Sequence, residues 1–149
     1  MKKVLLTMFT FCAAASMTLA QEFKVITIVE SIVPGGIGRS RLIENQGAID
    51  IASITTEREE GKSKQGDVKR GDLKKEGENM KETKLLNFFS LAGINFGNVA
   101  ANDAIIAAKM NEMVKAGWKL LHITSGVESD AGKDDGNGIF ITRMYFSKD

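Results

Sequence analysis

The chain has 149 residues, with 20 Lys and Arg against 19 Asp and Glu, one His and one Cys. That length suits a single domain with its own core, and the balanced charge gives no general field for nucleic acid or an anionic membrane. A lone cysteine excludes an internal disulfide framework, and a lone histidine leaves any metal site dependent on carboxylates.

Residues 1–20 have the layout of a secretory signal peptide. Lys2 and Lys3 precede an apolar run from Val4 to Ala15, and Ser16-Met17-Thr18-Leu19-Ala20 ends it with small residues. The run is shorter than the roughly 20 residues a spanning helix needs, so cleavage between Ala20 and Gln21 is expected, not anchoring. Acylation at Cys12 is disfavoured, because Phe11 stands where a small residue is required. The mature chain, 21–149, then holds 129 residues, no cysteine and a formal charge of −1. It is expected in the periplasm, at the cell surface or outside the cell, with no transmembrane segment once the leader is removed.

Phe23 to Val33 is rich in β-branched residues and apolar at both alternating sets, as expected of a central strand covered on both sides for part of its length. Pro34-Gly35-Gly36 ends it. Two β-type runs follow at Arg39–Glu44 and Ala48–Thr56, with Asn45-Gln46-Gly47 between them as a hairpin turn. Gly36-Ile37-Gly38-Arg39-Ser40-Arg41 follows a strand, where glycine amides and two arginines suit an anion. The dinucleotide fingerprint fails, because Arg41 replaces its third glycine and no helix follows. A plain turn is the reading, with Arg39 and Arg41 the only candidate ligand-binding residues, for an anionic group.

Of the 28 residues in 57–84, 17 are charged, and only Val68, Leu73 and Met80 are aliphatic. Such a segment buries too little apolar surface to offset its ordering cost, and is read as a disordered insertion. Leu85 to Phe96 returns to core character, as a short helix or a short buried strand, with the helix preferred. Asp103 to Ala116 is an amphipathic helix. Ile106, Met110, Met113 and Val114 form its apolar stripe, while Lys109, Asn111, Glu112 and Lys115 face water. Asn102 suits the N-cap, and Gly117 suits a left-handed C-terminal position.

Trp118 to Ser125 and Ile139 to Phe146 read as an antiparallel strand pair, and Trp118 as core. Val127 to Gly138 gathers Glu128, Asp130, Asp134 and Asp135 on a glycine-rich loop. Oxygen ligands on such a loop suit calcium, but the EF-hand register fails, and a polar connection is the reading. His122 lies mid-strand without a partner histidine or cysteine, and is read as a half-buried or solvent-face residue.

The helix ending in Ala116-Gly117-Trp118, the strand it feeds and the final aromatic strand with Arg143 resemble small uncharacterised exported bacterial β-α-β-β domains. The resemblance spans roughly Val99 to Phe146, with Phe23 to Val33 as first strand. It implies a compact sheet with one helix on it, and no known chemistry.

The expected fold is α+β: a largely antiparallel sheet of four or five strands with one main amphipathic helix packed on one face. With no cofactor, no metal and no nucleophile motif indicated, the expected function is that of a non-enzymatic binding or interaction module. Its ligand is unknown, and its partner lies in the envelope or outside the cell, with no nucleic acid involved. The alternative is a small secreted hydrolase with an unrecognised site.

Overall fold

The computed structural model describes residues 21–32, 37–64, 66, 68–128 and 138–149. Residues 1–20, expected as a signal peptide, Pro34-Gly35-Gly36, and Asp130, Asp134 and Asp135, with the calcium alternative, lie outside these residues. The main strands are β1 (Glu22–Ser31), β2 (Ile37–Asn45), β5 (Met80–Leu86), β8 (Lys119–Glu128) and β9 (Ile139–Lys148). They form one sheet in the order β5-β2-β1-β9-β8, and every neighbouring pair is antiparallel. The main helix, α3 (Phe96–Lys115), packs on one face, so the fold is α+β as expected. Among the described residues, no helix is long and apolar enough to cross a membrane.

The register explains the core. Ile26 stands opposite Met144 on one side and Glu44 on the other, and Ile28 opposite Thr142 and Leu42. Opposed residues share a face, so Ile26, Ile28, Leu42, Met144 and Phe146 present one apolar surface. Met113 is buried against it, with Ile105, Ile106, Met110 and Trp118 packed around. The other face of β1 is open toward its start: Phe23 and Val25 are exposed. Expected cover on both sides is therefore corrected there, since the one main helix shields only one face.

The helix is longer than its apolar stripe suggested. Asn95 is the N-cap, its side-chain oxygen accepting from the Asn98 amide at 3.2 Å. Asn102, expected to cap, lies inside the helix and is fully buried. The C-terminus behaves as expected. Gly117 has φ +87°, its amide donates to the Val114 carbonyl, and the Trp118 amide reaches back to Met113, each at 3.0 Å. This pair of bonds uses carbonyls the helix would otherwise leave open. Val114 is exposed, not part of the packed stripe.

Three further expectations are corrected. Ala48–Thr56 is not a strand: Ile51–Ile54 forms a short helix, α1, started by Asp50, whose carboxylate accepts from the Ala52 amide at 3.1 Å. No hairpin therefore follows Asn45-Gln46-Gly47, and β2 pairs instead with β5. The charged segment 57–84 contains ordered elements. Arg58–Glu59 (β3) pairs with Lys62–Ser63 (β4) through a turn at Glu60 and Gly61, both at positive φ. Arg70–Glu76 is a short helix, α2, and residues 80–84 belong to β5. An edge strand has one neighbour only, so Lys81, Glu82 and Lys84 stay exposed while Leu85 alone is buried. Residues 85–96 are no single element: they close β5, make a tight turn of Phe89–Ser90 (β6) against Gly93–Ile94 (β7), and open α3 at Phe96.

Candidate functional site

Buried polar groups tie α3 to the β5 end of the sheet. The Asn102 side-chain oxygen accepts from the Leu86 amide at 2.8 Å. Its Nδ2 donates to the Leu86 carbonyl at 2.8 Å and to Glu30 Oε1 at 3.1 Å. One amide side chain thus serves both main-chain groups of an edge residue, as a neighbouring strand would. Nearby, the Ser31 amide donates to Ser40 Oγ at 2.9 Å, and Ser40 Oγ donates to Asn87 Oδ1 at 2.9 Å. Asn98 donates to the Asn87 carbonyl, and the Phe88 amide to the Ser31 carbonyl. Among the described residues no buried side-chain nitrogen or oxygen lacks a partner.

This network positions Glu30 and Phe88 at one end of a cleft of about 330 Å³. The cleft lies on the helix-bearing face, where Glu30, Phe140 and Val127 share one register row and Thr142 and Ser125 the next. Phe88 and Phe140 set its aromatic wall, with ring centroids 5.7 Å apart. Ser125 Oγ and Thr142 Oγ1 share a hydrogen bond at 2.7 Å. Burial pushes the Glu30 carboxyl up; the charge of Asp103 adds to this, and the hydrogen bond from Asn102 opposes it. An apolar hollow with a few convergent polar groups, one of them perturbed, is the usual form of a ligand site.

A second charged cluster does structural work. Lys109 was expected in water, but its side chain is 12% exposed and its ammonium lies 2.6 Å from Glu44 Oε2. Lys24 donates to Glu44 Oε1 at 2.9 Å, and Glu112 Oε1 accepts a further hydrogen bond from Lys109 at 2.9 Å. Burial pushes the Glu44 carboxyl up, but hydrogen bonds from Lys109, Lys24 and Gln46 outweigh it and hold its pKa at about 2. Burial lowers Lys109, whereas its bonds to Glu44 and Glu112 raise it further, for a net rise. Lys24 and Lys148 flank the Trp118 ring, at 5.2 and 5.9 Å from its centroid. Trp118 is half-buried, packed on the core rather than inside it. A broader hollow of about 710 Å³ borders Trp118, but the ammonium of Lys24 on its wall is already engaged by Glu44.

The residues singled out from sequence lie elsewhere. Arg39 and Arg41 are on β2, Arg39 exposed, and Arg41 donates to Glu82 Oε1 on β5 at 2.8 Å. The structure thus brings Arg41 to an acid on the neighbouring strand, away from the cleft. His122 is exposed on the face opposite the helix, beside Tyr145 with ring centroids 6.2 Å apart. Glu30 and Asn102 escaped sequence reasoning. The available signal was Glu30 itself, an acid directly after the uncharged stretch Val25–Val29 of β1. Among the described residues no three His, Asp or Glu side chains converge as a metal group.

No protein-family model matches the chain, and neither a curated protein nor a solved structure matches it.

Proposed function

We propose that the mature chain is an exported binding module, not a catalyst, and that its ligand enters the Glu30–Phe140 cleft. The observation that supports this best is the convergence of Glu30 with the Ser125–Thr142 hydroxyl pair in a cleft walled by the Phe88–Phe140 pair. The ligand class that complements it has a small apolar body and a hydrogen-bond-donating tip, with an alkyl or aryl amine the closest fit. Asn102 engages Glu30 Oε1, and an amine meets the carboxylate through Oε2. Nucleophilic catalysis is poorly served. The hydroxyl of Ser125 is paired with that of Thr142, while His122, the one imidazole, lies on the opposite face of the sheet. A second reading, a small secreted hydrolase, draws on the raised Glu30 carboxyl as a proton donor.

Benzylamine, benzyl alcohol and benzoate titrated into labelled protein separate the possibilities. Benzylamine is expected to shift the amide resonances of Ser125, Gly126 and Phe140, more strongly as pH rises through the raised pKa of Glu30. Glu30→Gln should weaken it at least tenfold and leave benzyl alcohol nearly unchanged. Absence of any shift at these residues with all three probes would overturn the site. Hydrolysis of model esters that is lost in Glu30→Gln, with melting temperature kept, would favour the enzyme. Intact-mass analysis of protein recovered from the envelope or medium should give an N-terminus at Gln21; a retained Met1 would refute export with cleavage.

A further inference from the structure

The two edges of the sheet are not equivalent. At β5, residues 80–84 are all exposed and three of them, Lys81, Glu82 and Lys84, are charged, with Met80 the one exposed apolar side chain, and Asn102 occupies both main-chain groups of Leu86. Charge and side-chain cover are the usual devices that keep an edge from pairing. At β8, ten residues run along the other edge, and all those from Lys119 to Val127 are exposed. No Asp, Glu, Lys or Arg stands between Lys119 and Glu128. Leu120, Leu121, Ile123 and Val127 are 38%, 54%, 46% and 62% exposed. One bulge, between Leu120 and His122, interrupts this strand, and its charged residues, Lys119 and Glu128, stand at its two ends.

We propose that β8 pairs antiparallel with β8 of a second copy about a two-fold axis through Thr124, joining two five-stranded sheets into one. An axis normal to the sheet keeps the faces aligned, so opposed residues must already share a face within one chain. With Thr124 at the centre, Ile123 opposes Ser125 of the second copy and His122 opposes Gly126, and both pairs satisfy this rule. Past His122 the bulge supplies one extra residue, so Leu120 and Leu121 together oppose Val127, and position 119 opposes position 128. The strand read backwards complements itself: leucines meet a valine, and at each end a lysine position meets a glutamate position. A two-fold pairing uses this complementarity twice. The pairing has a consequence for the cleft, whose open wall is Ser125-Gly126-Val127. Ile123 of the second copy lands beside Ser125 and closes that side, whatever the cleft binds.

Light scattering coupled to size exclusion, on protein recovered from the envelope or medium, reads the oligomer directly. The wild type is expected at twice the protomer mass. Ile123→Lys and Val127→Lys should each halve it with an unchanged circular dichroism spectrum, because both sites are exposed in the protomer. Leu91→Lys, exposed on the turn between β6 and β7, should leave the mass doubled. Thr124→Cys should cross-link the dimer on mild oxidation, as Leu91→Cys should not; opposed strand positions fall within disulfide reach. A wild type that stays at protomer mass to millimolar concentration would overturn the proposal. So would a dimer that survives both lysine variants, or a protomer that pairs β8 only with added extended peptides. Failure of Thr124→Cys to cross-link within an intact dimer would overturn the register.

Discussion

At the β5 end of the sheet, buried polar groups are tied by side chains of the same chain; at the β8 end the ties, Lys119 to Asp149 and Ser125 to Thr142, are exposed. Asn102 stands in for a missing strand at Leu86, Asn87 joins Ser40, and Glu44 joins Lys24 to Lys109 across the helix–sheet junction. Each tie satisfies a buried polar group whose isolation would cost about 1–3 kcal/mol. The β8 end has apolar side chains instead, placed at the rim and exposed, around a cleft with a single perturbed carboxyl. Polar ties make one end of the sheet self-sufficient. Buried polar ties and exposed apolar side chains thus gather at opposite ends of one small sheet.

Substitutions at the two ends should separate in magnitude. The largest effect is expected for Glu44→Ala, which removes the shared partner of Lys24 and Lys109, leaves Lys109 with Glu112, and should cost about 3 kcal/mol in chemical denaturation. The carboxyl has a pKa of about 2 in the fold, against an ordinary value of 4.5. Its contribution is therefore full above pH 4.5 and lost as pH falls toward 2, and Glu44→Ala should flatten stability across that window. Glu30 works in the opposite sense. Its raised pKa favours the fold below 4.5 and withdraws that support as pH rises through the folded value, so Glu30→Gln should gain relative stability at neutral pH.

Asn102→Ala should follow, at about 2–3 kcal/mol, because it leaves the amide and carbonyl of Leu86 without partners beside the core. Gly117→Ala should cost about 1 kcal/mol, since its positive φ penalises any Cβ. Val127→Ala at the open end should cost under about 0.5 kcal/mol in the protomer, as surface substitutions do. A Val127→Ala cost equal to that of Asn102→Ala would erase the contrast between the ends.

Much of this arrangement was legible in the sequence, and the exceptions have a common cause. Local signals are strong for β1, for the helix end at Gly117 and for the two last strands, because apolar periodicity and a left-handed glycine act within a few residues. β5 was hidden because Lys81, Glu82 and Lys84 make it look solvated, and an edge strand needs few apolar residues to be held. Asn102 suits an N-cap as well as a buried strut, and only the contacts with Leu86 and Glu30 decide between them. Lys109 was assigned to water because its partner, Glu44, lies on a strand far away in sequence. The cleft was illegible for the same reason: Glu30, Phe88 and Ser125 meet only once the sheet order is known. Arg39 and Arg41 were conspicuous by spacing, a local property that does not report on a partner such as Glu82.

Amide hydrogen exchange of the Ile123→Lys protomer compares the two ends within one molecule. The Leu86 amide, bonded to Asn102, should exchange as slowly as the core amides of β1. The outward-facing alternate amides of β8 should exchange close to the rate of an unfolded chain. Fast exchange at Leu86, or uniform protection along β8 in the protomer, would contradict a sheet closed at one end and open at the other.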